Sequence, residues 1–245
     1  METQLLPISR PRPTATAVMD DHILDNPIWT SLVADHAKFA LGDTHARRYD
    51  SDIGPLSAVP DISPASLDAM RKLVETTGPV FAAHRFDLPV PQGLRAVVDR
   101  RAFQMVFDAE APSQDTDPRI VTLGHDDAAA MFDLADLTKP GPYGKRTHEL
   151  GRYWGVKENG QLVAMAGERL RQGNYIEISA VCTHPDNRGQ GLGRALSAYA
   201  CRAILDSGKT PYLHVFQDNT GAIRLYESLG FHRRIELRGL LLERA

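Results

Sequence analysis

The sequence predicts an α/β protein, and three observations carry that expectation. From Ile120 onward, strand-like and helix-like segments follow one another in the order strand, helix, strand, strand, strand, helix, strand, helix, strand. Glu158-Asn-Gly160 joins two β-rich runs, and Asn-Gly favours the primed turns whose twist suits a hairpin. The run Tyr175 to Thr183 then breaks at Pro185 into a glycine-rich turn, followed by a helix with apolar residues at Leu192, Ala195, Leu196, Tyr199, Ala200 and Ala203.

Met1 to Val18 carries Pro7, Pro11 and Pro13 and lacks the apolar stretch of a signal peptide, so residues 1–20 are expected to form a mobile arm. Asn26-Pro27 reads as a helix cap and first turn, with Ile28, Leu32, Val33, Phe39 and Ala40 near one face. Ser63-Pro64 starts a second helix that buries Leu67, Met70, Leu73 and Val74. Phe103 to Phe107 alternates like a strand, and Ala109 to Pro118 reads as a linker. Residues 21–110 are therefore expected to form an accessory α/β region or reduced half-domain, and residues 118–245 the main domain.

In that main domain Ile120 to Leu123 is the first strand, and Asp126 to Thr138 a helix with acidic residues in its first turn, where they suit the dipole. Lys139-Pro-Gly-Pro-Tyr-Gly144 is a loop by composition. Trp154 to Lys157 and Gln161 to Gly167 form the hairpin, Gln172-Gly-Asn174 is a turn, and Gly208 stops the helix that begins near Leu192.

The glycine-rich turn has the make-up of an anion cradle. The first N–H groups of a helix have no intrahelical acceptor, and the dipole places partial positive charge there. A dinucleotide fingerprint counted from Gly189 meets Arg194 where its third glycine belongs, and a Walker loop ending at Gly208-Lys-Thr210 meets Ala203 in place of its first glycine. What remains, Arg188-Gly-Gln-Gly-Leu-Gly193, resembles the pyrophosphate loop of the GCN5-related N-acetyltransferase (GNAT) family. The resemblance extends over Ile120 to Arg234: Val181-Cys-Thr-His-Pro185 before the loop, then Asn219, Ala222, Tyr226 and Leu229-Gly-Phe231. Cys182 and Thr183 stand where the family usually has aliphatic residues. Pro211-Tyr-Leu-His-Val215 is similar to the FR47-like subgroup.

The resemblance implies a GNAT fold, with a mixed, mostly antiparallel sheet flanked by helices, and acetyl-CoA as cosubstrate. It implies cofactor contacts at Val181, Cys182, Thr183, Arg188, Gly189, Gln190, Gly191, Leu192, Gly193, Arg194, Asn219, Ala222 and Tyr226. The backbone of Val181 to Thr183 would serve the thioester carbonyl and pantetheine arm. Tyr226 would protonate or stabilise the departing thiolate, although its spacing with Ile223 and Leu229 equally fits an ordinary core tyrosine. Asn219 reads as an N-cap as well. Acetyl transfer to an amine needs a base, because an alkylamine is mostly protonated at neutral pH. Glu177 shares strand parity with Ser179 and Val181, and Glu168 follows Gly167 on the neighbouring strand, so either is a candidate, with His184, His214 and His232 as alternatives.

Composition narrows the remaining classes. A formal net charge of -3 gives no electrostatic case for nucleic acid. Cys182 and Cys201 are too few for a disulfide framework and suit a cytoplasmic setting; no residue cluster points to a metal, and no apolar run has the length of a membrane span. No histidine spacing argues for Cys182 as a nucleophile, which leaves direct transfer in a ternary complex. The expected function is N-acetyl transfer to a primary amine of a small molecule, amino acid or peptide. The alternative is a catalytically silent acyl-CoA-binding module. Lys139 to Tyr143 and the N-terminal region are expected to wall the acceptor site. The basic stretch Gly93 to Arg101 reads as a solvated face or as a hold for an acidic acceptor, and a homodimer is compatible with the sequence.

Overall fold

The computed structural model describes residues 22–112 and 117–245; the arm expected over 1–20 and the middle of the expected linker lie outside them. The chain begins with α1 (Pro27–Val33), then β1 (Ala40–Gly42), β2 (Arg47–Tyr49), β3 (Leu56–Ala58), α2 (Pro64–Thr77), β4 (Val80–His84) and β5 (Leu94–Phe107). It continues through β6 (Ile120–Leu123), α3 (Ala128–Thr138), β7 (Tyr153–Glu158), β8 (Gln161–Gln172), β9 (Tyr175–Thr183), α4 (Leu192–Asp206), β10 (Thr210–Phe216), α5 (Thr220–Ser228) and β11 (Phe231–Arg244). The strands make one sheet in the order β1-β2-β3-β4-β11-β5-β10-β9-β8-β7-β6. The pairs β3–β4 and β9–β10 are parallel and the other neighbours antiparallel, as the expected mixed sheet requires.

Residues alternate between the two faces of each strand, so Trp154 packs with the core under α4 and α5 while its neighbour Tyr153 packs under α3. The α4 side holds Leu196, Ala200, Ile204, Leu213, Val215 and Ile223, and α1 with the segment before it seals part of the opposite face through Leu24, Ile28 and Leu32. The buried stripe of α4 is Leu192, Leu196, Ser197, Ala200, Cys201 and Ile204, whereas Ala195, Tyr199 and Ala203 are half-buried. The buried stripe also takes in Ser197 and Cys201, which the expected stripe lacks. Ser197 is compatible with burial because its hydroxyl donates to Gly193 O at 2.7 Å.

Two expected elements are revised. The first helix ends at Val33, which is exposed, so Phe39 and Ala40 fall in a 3₁₀ turn and in β1. Its stop is tertiary: His36 Nδ1 bonds Ser31 Oγ at 3.1 Å and Tyr49 OH at 2.9 Å, which draws the chain across to β2. Asn26 does not cap its helix by its side chain but donates from Nδ2 to Val59 O at 2.7 Å, tying α1 to the end of β3. The expected strand 103–107 runs from Leu94, because β5 pairs with β11 along its length. Its first half lacked an apolar rhythm since Arg95, Asp99 and Arg100 reach out to Glu243, Arg238 and Asp218. β5 also pairs with β10, so the N-terminal segment supplies a strand between two strands of the C-terminal one. No helix of the described residues is long and apolar enough to cross a membrane.

The start of α2 is the element whose sequence signal is most local: Ser63 Oγ accepts from Ser66 N at 3.3 Å, with Pro64 in the first turn. Ser63→Ala should cost about 1 kcal/mol in urea unfolding.

Candidate active site

The site begins where two parallel strands part. β9 and β10 are paired only at Tyr175–Thr210, Ile176–Pro211 and Glu177–Tyr212, and from there they diverge. On its other edge β9 carries a bulge: Met165 opposes Cys182 and Gly167 opposes Ser179, which leaves one extra residue. Ala180 takes that irregularity with φ 54°, a left-handed conformation costly for a residue with a Cβ. Ala180 and Val181 therefore have no partner in either ladder, and their backbone groups border the opening.

A cavity of about 890 Å³ fills the opening, within the size range of small-molecule sites. One lip is the glycine-rich turn. Gly189 (φ 80°) and Gly191 (φ 78°) hold the left-handed conformation that brings the chain round into α4. Gly191 is the N-cap of α4 and no side chain caps the helix, so its leading N–H groups stay available to an anion. Val181, Cys182, Thr183, Arg188, Gly189 and Gly193 line the cavity on this side, and Asn219, Ala222 and Tyr226 on the other. No carboxylate of the described residues pairs with Arg188. These features fit an extended ligand with an anionic end at the α4 N-terminus.

Gln190, Gly191, Leu192 and Arg194 do not line the cavity. The Leu192 side chain is core, which confines any ligand contact there to its backbone, and Arg194 donates to Ser228 Oγ of α5. Asn219 accepts from Ala222 N at 3.2 Å, so it caps α5 while facing the cavity. Tyr226 combines both of its sequence readings: it packs edge-on to Phe231 in the core and also lines the cavity. Burial pushes its phenol up to about 12, so at neutral pH it is a proton donor. Cys182 is buried too and its thiol is pushed up to about 11, the opposite of what a nucleophile needs.

Neither candidate base lines the cavity, and the two are separated. Glu168 does not line the cavity; Arg152 holds Oε1 at 2.6 Å, and Arg171 and the Arg152 N–H take Oε2. It serves as an ionic anchor between strands. Glu177 sits at the crotch of the fork, fully buried, its Oε1 2.7 Å from Arg169 Nη2 and its Oε2 2.8 Å from Arg169 Nε. Burial alone would raise its pKa, but the Arg169 guanidinium and the His214 hydrogen bond outweigh it and hold the carboxyl well below the usual carboxylate range.

His214 is the histidine that faces the cavity, beside Glu177; His184 caps the Pro185–Asn187 turn and His232 is exposed. Its tautomer follows from its neighbours. Arg234 can only donate, so it fixes Gln104 Oε1 toward itself at 2.9 Å and turns the Gln104 amide N–H groups to Leu24 O and to His214 Nε2 at 3.2 Å. His214 Nε2 is thus an acceptor, and Nδ1 donates to Glu177 Oε1 at 2.7 Å. Sequence spacing carried no signal for Arg169, Gln104 or Arg234, because they meet only through sheet register. The period-2 alternation that places Tyr212, His214 and Phe216 on one face was the available clue for His214.

Residues 121–231 match the model of the Acetyltransferase (GNAT) family. The crystal structure of an acetyltransferase assigned to the GNAT family from Novosphingobium aromaticivorans is 36% identical, with a TM-score of 0.86 over 92% of this chain and 100% of that one. A mycothiol acetyltransferase of Nocardiopsis dassonvillei is 46% identical over 68 residues, 26% of this chain and 20% of the relative. The N-alpha-acetyltransferase RimI of Mycobacterium tuberculosis is 37% identical over 86 residues, 33% of this chain and 52% of the relative. The chain thus spans about a fifth of the length of the first mycothiol acetyltransferases it matches.

The buried pair at the crotch has a pH signature. The folded carboxyl titrates below its ordinary 4.5, so its contribution is fully present above about that pH and fades as the pH falls toward the folded value. Glu177→Gln leaves Arg169 buried without its carboxylate and should cost about 3–5 kcal/mol in urea unfolding at pH 7. The gap from wild type should narrow as the pH drops below about 4.5. An unchanged gap at low pH would disprove the assignment.

Proposed function

This chain belongs to the GNAT family of acetyltransferases, and on that premise we propose that it transfers an acetyl group from acetyl-CoA to a primary amine by direct attack in a ternary complex. The observation that carries the reading is the fork itself: an uncapped helix N-terminus on one lip, a buried phenol on the other, and a histidine–carboxylate pair at the crotch. The thioester supplies the activated acyl carbon. Arg188 and the N–H groups that open α4 hold the phosphates, and the unpaired backbone at Ala180 and Val181 receives the thioester carbonyl, where a preorganised donor is typically worth about 3 kcal/mol.

His214 Nε2 accepts the amine proton in exchange for its long bond to Gln104, and Glu177 stays ionised to orient and stabilise the imidazolium. This assigns Glu177 a positioning role in place of direct proton abstraction. Tyr226 delivers a proton to the departing sulfur. The raised Cys182 thiol supports direct attack over an acyl-cysteine route. The phrase Pro211 to Val215 supports a place in the FR47-like subgroup.

Calorimetry with acetyl-CoA and release of CoA thiol against a panel of amines test the reading together. Gly191→Val forces a branched side chain into a left-handed position and should weaken acetyl-CoA binding at least about tenfold. Tyr226→Phe and His214→Asn should each lower kcat by about 10²-fold, with acetyl-CoA affinity nearly unchanged. Full kcat in both variants would overturn the assigned roles, and absence of acetyl-CoA binding by the wild type would overturn the activity.

A further inference from the structure

Beyond His214 the cavity continues away from the fork, across the face of the sheet toward the N-terminal segment, and its make-up changes. Sheet register sets a row of small residues along this arm. Ala83 on β4 lies opposite Gly239 on β11, which lies opposite Arg100 on β5; Leu237 on β11 opposes Ala102 on β5, which opposes Phe216 on β10. Gly239 is needed here, since a Cβ on it would come 2.7 Å from Phe81 Cζ: the ring leans over the glycine and forms the far wall with Leu56. Pro27 and Ile28, at the start of α1, also line the arm. From β10 to β4 is three strand spacings, roughly 14 Å.

The ionic groups along this arm are neutralised among themselves. Arg100 pairs with Asp218 at 2.5 Å and lies 3.9 Å from the centroid of the Phe216 ring, and Arg169 is taken by Glu177. Among the described residues lining this arm, Arg100, Asp218 and Arg169 each already have a partner of opposite sign. A charged tail lying over Ala102, Gly239 and Ala83 would lose water against apolar and small side chains, which is unfavourable, whereas each methylene added to an uncharged tail gains from leaving water.

Resting on the acetyl-transfer reading, we propose that this arm binds the non-reacting part of the acceptor, and that the acceptor is a primary amine on an uncharged, apolar body such as an alkyl chain or an aromatic ring. The amine end then reaches His214 at the crotch, and the body lies over Ala102, Gly239 and Ala83 against Leu237, Leu56 and Phe81.

The test uses the full chain with butylamine, pentylamine, hexylamine and 1,6-diaminohexane, reading equilibrium affinity by calorimetry and CoA thiol release in parallel. Affinity should rise about fourfold per added methylene, and hexylamine should bind at least about tenfold more tightly than the diamine of equal length. Ala83→Leu and Ala102→Leu, each filling the floor at a different strand, should bring hexylamine down toward butylamine, with acetyl-CoA binding as the check on folding. A flat series, or a diamine bound as well as hexylamine, overturns the proposal. Ordered binding without thiol release with any amine would sink the acetyl-transfer reading and leave the apolar arm standing; thiol release without the order would do the reverse.

Discussion

Backbone polar groups demand partners, and the separation of two parallel strands is the constraint to which the rest of this molecule responds. β9 and β10 share three residue pairs and then part, which strips both strands of a ladder in the middle of a sheet. Water alone cannot fill such a gap cheaply among apolar side chains. The bulge at Ala180 leaves Ala180 and Val181 of β9 outside either ladder where they line the cavity, and α4 and α5 close over the two lips. The parting of the strands thus opens a cavity where a continuous sheet would have closed it.

Holding the strands apart needs a wedge as well as a gap. Glu177, Arg169 and His214 supply it at the last paired position, with the carboxylate saturated by the guanidinium, the imidazole and the Leu170 N–H. A buried ion pair is seldom a source of net stability against apolar packing, but it is strict about geometry. The same strictness orients His214, and the chain of contacts runs on through Gln104 and Arg234 to Asp25 in the N-terminal segment. The position of one imidazole is thus fixed by residues drawn from β5, β8, β9, β11 and the segment before α1.

Much of this was legible beforehand where the signal is local. The primed turn at Asn159-Gly160, with both φ positive, the proline-started α2, the left-handed glycines before α4 and the Asn219 cap all follow from short stretches whose chemistry admits few conformations. What escaped depends on register. Arg169 and Gln104 are an arginine and a glutamine on strands, types that usually face solvent, and only cross-strand placement makes them part of the site. Glu168 and Glu177 looked equivalent as strand glutamates, and the β8–β9 register shifts that send one to Arg152 and the other to the fork leave no trace in composition. The first half of β5 was hidden because its alternation is ionic on the outside.

The placement of β5 carries a consequence for how this chain comes to be folded. Its strand is synthesised more than a hundred residues before β10 and β11, the two neighbours that flank it in the sheet. During synthesis at about 5–20 residues per second, it waits for several seconds with neither edge paired in its final place. Contacts that span so much chain are slow to form, and a waiting edge can pair with another chain. The charges on both faces of its first half, with Arg95, Asp99, Arg100 and Arg101, are the composition that discourages such pairing. The charges that obscured the strand to sequence reading also act as its gatekeepers, and no fragment cut near residue 110 contains a complete sheet.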